Sequence, residues 1–240
     1  MADPRDTNAQ LWKSDGNVAR WVSNSGGREE RYAHPRQLLA DLLPFADDES
    51  FTFLDLGAGT GAAARAVLWR YPAARAILAD FSPQMMEHGR KALAPYAGRF
   101  GYVEFDIAAG QWPEAIPASL DAVVSSMSVH HLTDDRKRQL FKEIFGRLVP
   151  GGWYLNLDPV TSDDPVVAAA WQRASDRSDP EAARRRAHRT PEEQARFENH
   201  TRYMIPLAPQ VEFLREAGFE AVDVFWKNLE DVVYGGRRPA

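Results

Sequence analysis

The chain has 240 residues, 44% hydrophobic and 26% charged, with a formal net charge of −5 at pH 7. That length suits one domain with a sizeable core, the balance excludes wholesale disorder, and the acidic charge gives no broad attraction to nucleic acid or an anionic membrane. There is no cysteine, which excludes disulfides, thiolate catalysis and cysteine metal ligands.

The opening residues Met1-Ala-Asp-Pro-Arg-Asp-Thr-Asn8 are polar and lack the apolar stretch of a secretory signal. No apolar run approaches the roughly 20 residues that cross a bilayer, so a cytoplasmic protein with no membrane partner is expected. Residues 1–50 carry no strand signal. Pro35 followed by Arg36-Gln-Leu-Leu-Ala-Asp-Leu-Leu43 predicts a helix with proline in its first turn, closed by Pro44. Upstream, Asn24-Ser25-Gly26-Gly27 reads as a flexible break between Trp21 and Tyr32. Residues 1–50 are therefore expected to form a helical lid or arm.

From residue 51 strands and helices alternate. Strands are predicted over residues 51–56, 76–79, 102–105, 120–126, 153–157, 221–226 and 231–234. Helices are predicted over 62–71, from the Ser82 cap to 93, over 134–148 and over 211–217. Pro150-Gly151-Gly152 reads as a break and Gly218 as a helix stop. Residues 159–206 interrupt the rhythm as a charged, helical insertion in which Pro180 and Pro191 open helices. Its run Arg184-Arg-Arg-Ala-His-Arg189, beside Glu192 and Glu193, reads as a solvated face of mixed charge. The alternation implies an α/β fold, a mostly parallel sheet with helices on both faces. Only Lys227-Asn228-Leu229-Glu230 joins the last two strands, too few for a parallel crossover, so the last strand should run antiparallel.

The most telling stretch is Phe51-Thr-Phe-Leu-Asp-Leu-Gly-Ala-Gly-Thr-Gly61. A buried strand, a turn of alternating glycines and a helix N-terminus form the arrangement in which backbone meets a nucleotide-like ligand. The pattern also satisfies the dinucleotide fingerprint, and Asp80 stands where a ribose-binding acid belongs, so NAD fits these features. Three others oppose it. Asp55 at the lip would repel a pyrophosphate but suits an ammonium or sulfonium. Asp106 and Ile107 can accept from an exocyclic adenine amine and donate a backbone N–H to a ring nitrogen. An antiparallel final pair leaves no second mononucleotide-binding half. A structural acid at 55 and a turn-forming acid at 106 are the plainer alternatives.

Leu54-Asp-Leu-Gly-Ala-Gly-Thr-Gly61 resembles motif I of the class I S-adenosylmethionine-dependent methyltransferases. The resemblance continues through Asp80-Phe-Ser-Pro-Gln-Met-Met86, Asp106-Ile107, Ser125-Ser-Met-Ser-Val-His-His-Leu132 and Leu148-Val-Pro-Gly-Gly-Trp153, and ends at Ala217-Gly-Phe219 and Phe225-Trp226. It implies a Rossmann-like three-layer sandwich whose sheet has order 3-2-1-4-5-7-6 with strand 7 antiparallel, over residues 51–240 with the insertion 159–206. It implies S-adenosylmethionine as cofactor and S-adenosylhomocysteine as product. Asp55, Gly57, Ala58, Gly59 and Gly61 would hold the methionine end, and Asp80 both ribose hydroxyls. Phe81 and Met85 would lie against the adenine, Asp106 and Ile107 would read its edge, and Ser126 and Met127 would sit near the sulfonium.

The expected activity is methyl transfer to nitrogen, oxygen or carbon of a small-molecule acceptor. His130 is the candidate base, and Tyr32, His131, His200 and Tyr203 are candidate acceptor contacts. No metal site is read from the sequence: adjacent residues such as His130 and His131 point in different directions, and no His-x-x-Glu-His-like spacing occurs. A homodimer is admitted. Rival readings are a tRNA-modifying relative, since residues 217–238 also resemble tRNA uridine carboxymethyltransferases, a small NAD-dependent oxidoreductase, and a silent cofactor-binding protein.

Overall fold

The strands that the apolar runs predict assemble as β1 (Thr52–Leu56), β2 (Arg75–Asp80), β3 (Phe100–Glu104), β4 (Leu120–Ser126), β5 (Leu148–Pro159), β6 (Glu220–Asn228) and β7 (Asp231–Arg237). They form one seven-stranded sheet in the order β3-β2-β1-β4-β5-β7-β6. The first five pair parallel, and β7 runs antiparallel to both β5 and β6, as the short connection before it requires. The computed structural model describes residue 12, residues 15–23 and residues 26–240. The reading of the first eight residues, the break at Asn24-Ser25 and the side chain of Trp21 lie outside the described residues.

Both faces of the sheet are covered, which is why apolar side chains of its central strands point both ways. Side chains alternate between two cores. Leu54, Leu56, Val123, Tyr154 and Val232 pack under α5 (Asp134–Arg147) and α9 (Leu207–Glu216). Phe53, Ala122, Val124, Leu155 and Val233 pack under α2 (Gly26–Asp41) and α3 (Ala62–Arg70). Two more helices complete the first half, α1 (Asp15–Ser23) and α4 (Pro83–Ala92), the latter capped by Ser82, whose hydroxyl accepts from the Met85 amide. Between β5 and α9 the insertion forms α6 (Pro165–Ser178), α7 (Pro180–Ala187) and α8 (Pro191–Thr201). Each opens on a proline with an Asp or Thr cap before it.

Three boundaries differ from the sequence reading for a visible reason. Helix α2 begins at Gly26, nine residues before the proline expected in its first turn, so Pro35 lies inside it. Burial of Tyr32, Leu39 and Ala40 along that helix outweighs the backbone bond that proline removes. Strand β5 continues through Pro150-Gly151-Gly152, because that segment pairs with the chain end: the Arg238 amide donates to Gly152 O at 2.8 Å. Helix α9 starts at Leu207 rather than 211, with Pro209 in its first turn.

Candidate functional site

The carboxyl ends of β2, β1 and β4 lie side by side, and the glycine turn follows β1 at that edge. Gly57 has φ of +70°, and a Cβ there would stand 1.8 Å from Ser128 Oγ, so both conformation and space demand glycine. At Gly61 (φ +77°) a Cβ would meet Leu93 Cδ1 at 2.6 Å, which is how α3 packs this close to its neighbours. Ala58, between the first two glycines, donates its amide to Ala79 O at 3.0 Å and ties the turn to β2. Met85 lies over the turn, its Cε 3.0 Å from where a Gly59 Cβ would be.

Asp55 is 1% exposed. Its Oδ2 accepts from the Ala64 amide at 2.9 Å in the first turn of α3, the structural role considered for it, while Oδ1 has no hydrogen-bond partner among the described residues. Burial pushes its pKa up to about 7, against the Ala64 amide and the Arg36 guanidinium, which pull it down. Asp80 accepts from the Gly59 amide at 2.7 Å and the Ser82 amide at 2.8 Å, and burial raises it to about 6. Phe81, half-buried, follows it. Asp106 is exposed and close enough to Asp80 to raise it further. It accepts from the Ala108 amide at 2.9 Å, the turn-forming arrangement, and leaves its other oxygen open to a ligand. Ile107 is buried beside it, its carbonyl held by Arg136 Nε at 2.7 Å.

At the end of β4, Met127 adopts φ of +60°, a conformation costly for a residue with a Cβ and one that collects at ligand sites. Ser126 meets a residue with no signal in the sequence, Arg36, whose Nε donates to Ser126 Oγ at 3.4 Å. Arg36 is buried, and its Nη1 lies 3.5 Å from Glu29 without a hydrogen bond to any described residue. Tyr32 lies under the Arg36 guanidinium, which is 5.5 Å from the tyrosine ring centroid, and the Tyr32 hydroxyl donates to Asp231 Oδ1 at 3.3 Å, beside Arg31 Nε at 3.0 Å from the same carboxylate. This ties α2 to the start of β7.

The histidines lie past β4. Residues Val129–His131 form a 3-10 turn. The expected divergence of adjacent side chains belongs to an extended strand; the turn instead puts the His130 and His131 rings 3.9 Å apart, centroid to centroid. His200, from α8, joins them at 4.8 Å and 5.0 Å. His130 is 2% exposed, and its Nδ1 is 2.7 Å from Asp158 Oδ1. Burial, then His200 and Lys137, hold its pKa well below the ordinary imidazole value; burial lowers His131 and His200 too. Asp158, at the end of β5, is raised to about 7 by burial. It was missed, although it is an acid at a strand end like Asp80 and Asp106. Tyr203 contributes its carbonyl, which accepts from the buried Lys137 ammonium. The structure thus gathers His130, His131 and His200, with Tyr203 nearby through Lys137, and places the Tyr32 hydroxyl on Asp231.

Residues 53–152 match the model of a family described as a methyltransferase domain. Acetylserotonin O-methyltransferase of Gallus gallus is 29% identical over 125 residues, 52% of this chain and 35% of that protein. An uncharacterized methyltransferase of Bacillus cereus is 30% identical over 151 residues, 60% of this chain and 65% of that protein. The chain thus spans less than two thirds of the length of either relative. Human N-acetylserotonin methyltransferase, solved in complex with SAM, has the same fold, with a TM-score of 0.65 at 15% identity over 96% of this chain and 58% of that one. No helix among the described residues is long and apolar enough to cross a membrane. With motif and strand order in agreement, residues 53–152 are a methyltransferase domain of the class I S-adenosylmethionine-dependent kind.

Proposed function

We propose that the chain transfers a methyl group from S-adenosylmethionine to a nitrogen, oxygen or carbon nucleophile of a small or medium-sized molecule, leaving S-adenosylhomocysteine. The observation that carries this reading is a pair of buried atoms of opposite character, Asp55 Oδ1 and Arg36 Nη1, neither with a hydrogen-bond partner among the described residues. Each group acts electrostatically on the other. A carboxylate and a guanidinium with open valences beside a glycine turn suit a ligand ending in an amino acid, the ammonium on Asp55 and the carboxylate on Arg36.

The remaining residues would divide the rest of the cofactor among them. Asp80 would accept from the ribose hydroxyls through the lone pairs its two amide bonds leave. Phe81 and Met85 would flank the adenine, Asp106 and the Ile107 amide would meet its edge, and Ser126 and Met127 would stand by the sulfur. When bound, S-adenosylmethionine supplies a methyl already activated on a sulfonium, so the protein's work is alignment and exclusion of water. Helix α2 and the insertion helices would cover the edge and select the acceptor. His130, held neutral and oriented by Asp158, would anchor the acceptor or take its proton when it carries one.

Calorimetry with S-adenosylhomocysteine tests the reading directly. One site per chain is expected, lost in Asp80→Ala with the fold intact by circular dichroism. Equal affinity of the two proteins would end the assignment.

A further inference from the structure

The histidine cluster has more donors than proton transfer needs. His130, His131 and His200 each offer a ring nitrogen, all within 4.8 Å of one another. Tetrahedral zinc with Zn–N of about 2.1 Å sets its donor nitrogens about 3.4 Å apart, so a small turn of the rings closes the set. His130 Nε2 is buried and has no hydrogen-bond partner among the described residues. Such a nitrogen is costly unless something binds it. We propose that His130, His131 and His200 bind one divalent transition-metal ion of the zinc, cobalt, nickel and iron group, with Asp158 positioning His130.

The second sphere fits that assignment. With Asp158 ionised, its contact at 2.7 Å keeps the proton on His130 Nδ1 and leaves Nε2 its lone pair. This is the carboxylate–histidine arrangement that orients metal-ligating imidazoles. An all-imidazole set favours these metals over magnesium or calcium, which prefer oxygen. Lys137 is the opposing charge, but its ammonium is engaged by Tyr203 O and by Asp134 Oδ1 at 3.5 Å, and Asp158 offsets it. Three protein ligands leave a coordination position open. On the methyl-transfer reading above, that position takes an oxygen or nitrogen lone pair of the acceptor, so His130 anchors the acceptor through the ion instead of taking its proton, and acceptors are molecules that present a metal donor beside the methylated atom.

The test uses tag-free full chain, stripped with a chelator and titrated with Zn²⁺, with Co²⁺ absorption as a second probe of geometry. The expected result is one ion per chain with a tetrahedral or five-coordinate cobalt spectrum. His200→Ala, on the half-exposed face of α8, should weaken binding at least tenfold, and Asp158→Asn by about 10- to 100-fold. A chain that takes up no zinc, or a His200→Ala variant that binds it equally well, overturns the proposal and leaves three packed aromatic rings. S-adenosylhomocysteine affinity is measured on the same samples. Cofactor binding without zinc binding rejects the metal site alone; zinc binding without cofactor binding rejects the methyl-transfer reading alone.

Discussion

The two halves of the ligand edge are built by different means. On the side proposed for the cofactor, Asp55, the glycine turn, Asp80 and Asp106 come from successive strand ends within residues 55–106, and most of their bonds are to backbone amides a few residues or one strand away. On the histidine side, His130 from a 3-10 turn meets Asp158 from β5 and His200 from α8. Its contacts are side chain to side chain, and His200 comes from the insertion between β5 and α9. The first half is a property of the βα unit, which any chain closing that turn reproduces. The second depends on where a particular helix docks, so it is the half free to differ between proteins of one fold.

The sharpest test of that division is His130→Ala. It should lower turnover by roughly 10²- to 10⁴-fold while cofactor affinity stays put; a matching loss of cofactor binding would show that the halves are not separable. Asp80→Ala should do the reverse, costing roughly a hundredfold or more in cofactor affinity, since each hydrogen bond to a charged group is worth about 1.5–3 kcal/mol. Zinc uptake by that variant should be unchanged.

Gly57→Ala probes the backbone basis of the first half. The added Cβ meets Ser128 Oγ at 1.8 Å and Ser128 Cβ at 2.4 Å in a left-handed conformation. A loss of about 2 kcal/mol or more in stability is expected. Adding Ser128→Gly should restore part of it, the clash but not the backbone strain; chemical denaturation of the three proteins measures both.

A pH profile separates the halves more gently. Burial raises Asp55 to about 7 and Asp80 to about 6. A raised acid favours the fold while protonated, so the free protein should lose stability as pH rises from the ordinary carboxylate range through those values. Cofactor binding needs the ionised forms and should move oppositely, gaining up to roughly tenfold in affinity per pH unit per group below about pH 6 and levelling above about pH 8. A flat affinity from about pH 5 to about pH 8 would remove both acids from the cofactor's contacts. The smallest effect belongs to Tyr32→Phe, which deletes one hydrogen bond to Asp231 while Arg31 remains. A cost of about 1 kcal/mol in stability with unchanged cofactor affinity is expected; a large loss of turnover would move Tyr32 to the acceptor side.

What could be read in the sequence follows the same line. The strands, the turn and the acids at strand ends announce themselves because the alternation of apolar runs and the glycine spacing are local patterns with local causes. Even the antiparallel β7 follows from a four-residue connection. Local patterns misled where packing overrode them, as at Pro35 inside α2 and at Pro150-Gly151-Gly152 inside β5. Arg36 beside Ser126, Tyr32 on Asp231 and His200 on the His130–His131 pair carry no sequence signal at all. Each joins residues between 69 and 199 positions apart.

The sequence by itself determined a βα framework with an antiparallel last strand and the edge at which a ligand binds, because strand period, glycine conformation and connection length are set by neighbouring residues. Only the tertiary structure decided that Asp55 and Arg36 share an open pair of valences, and that three histidines converge over Asp158. Those depend on which helix face is buried against which strand end, and burial is a property of the whole chain.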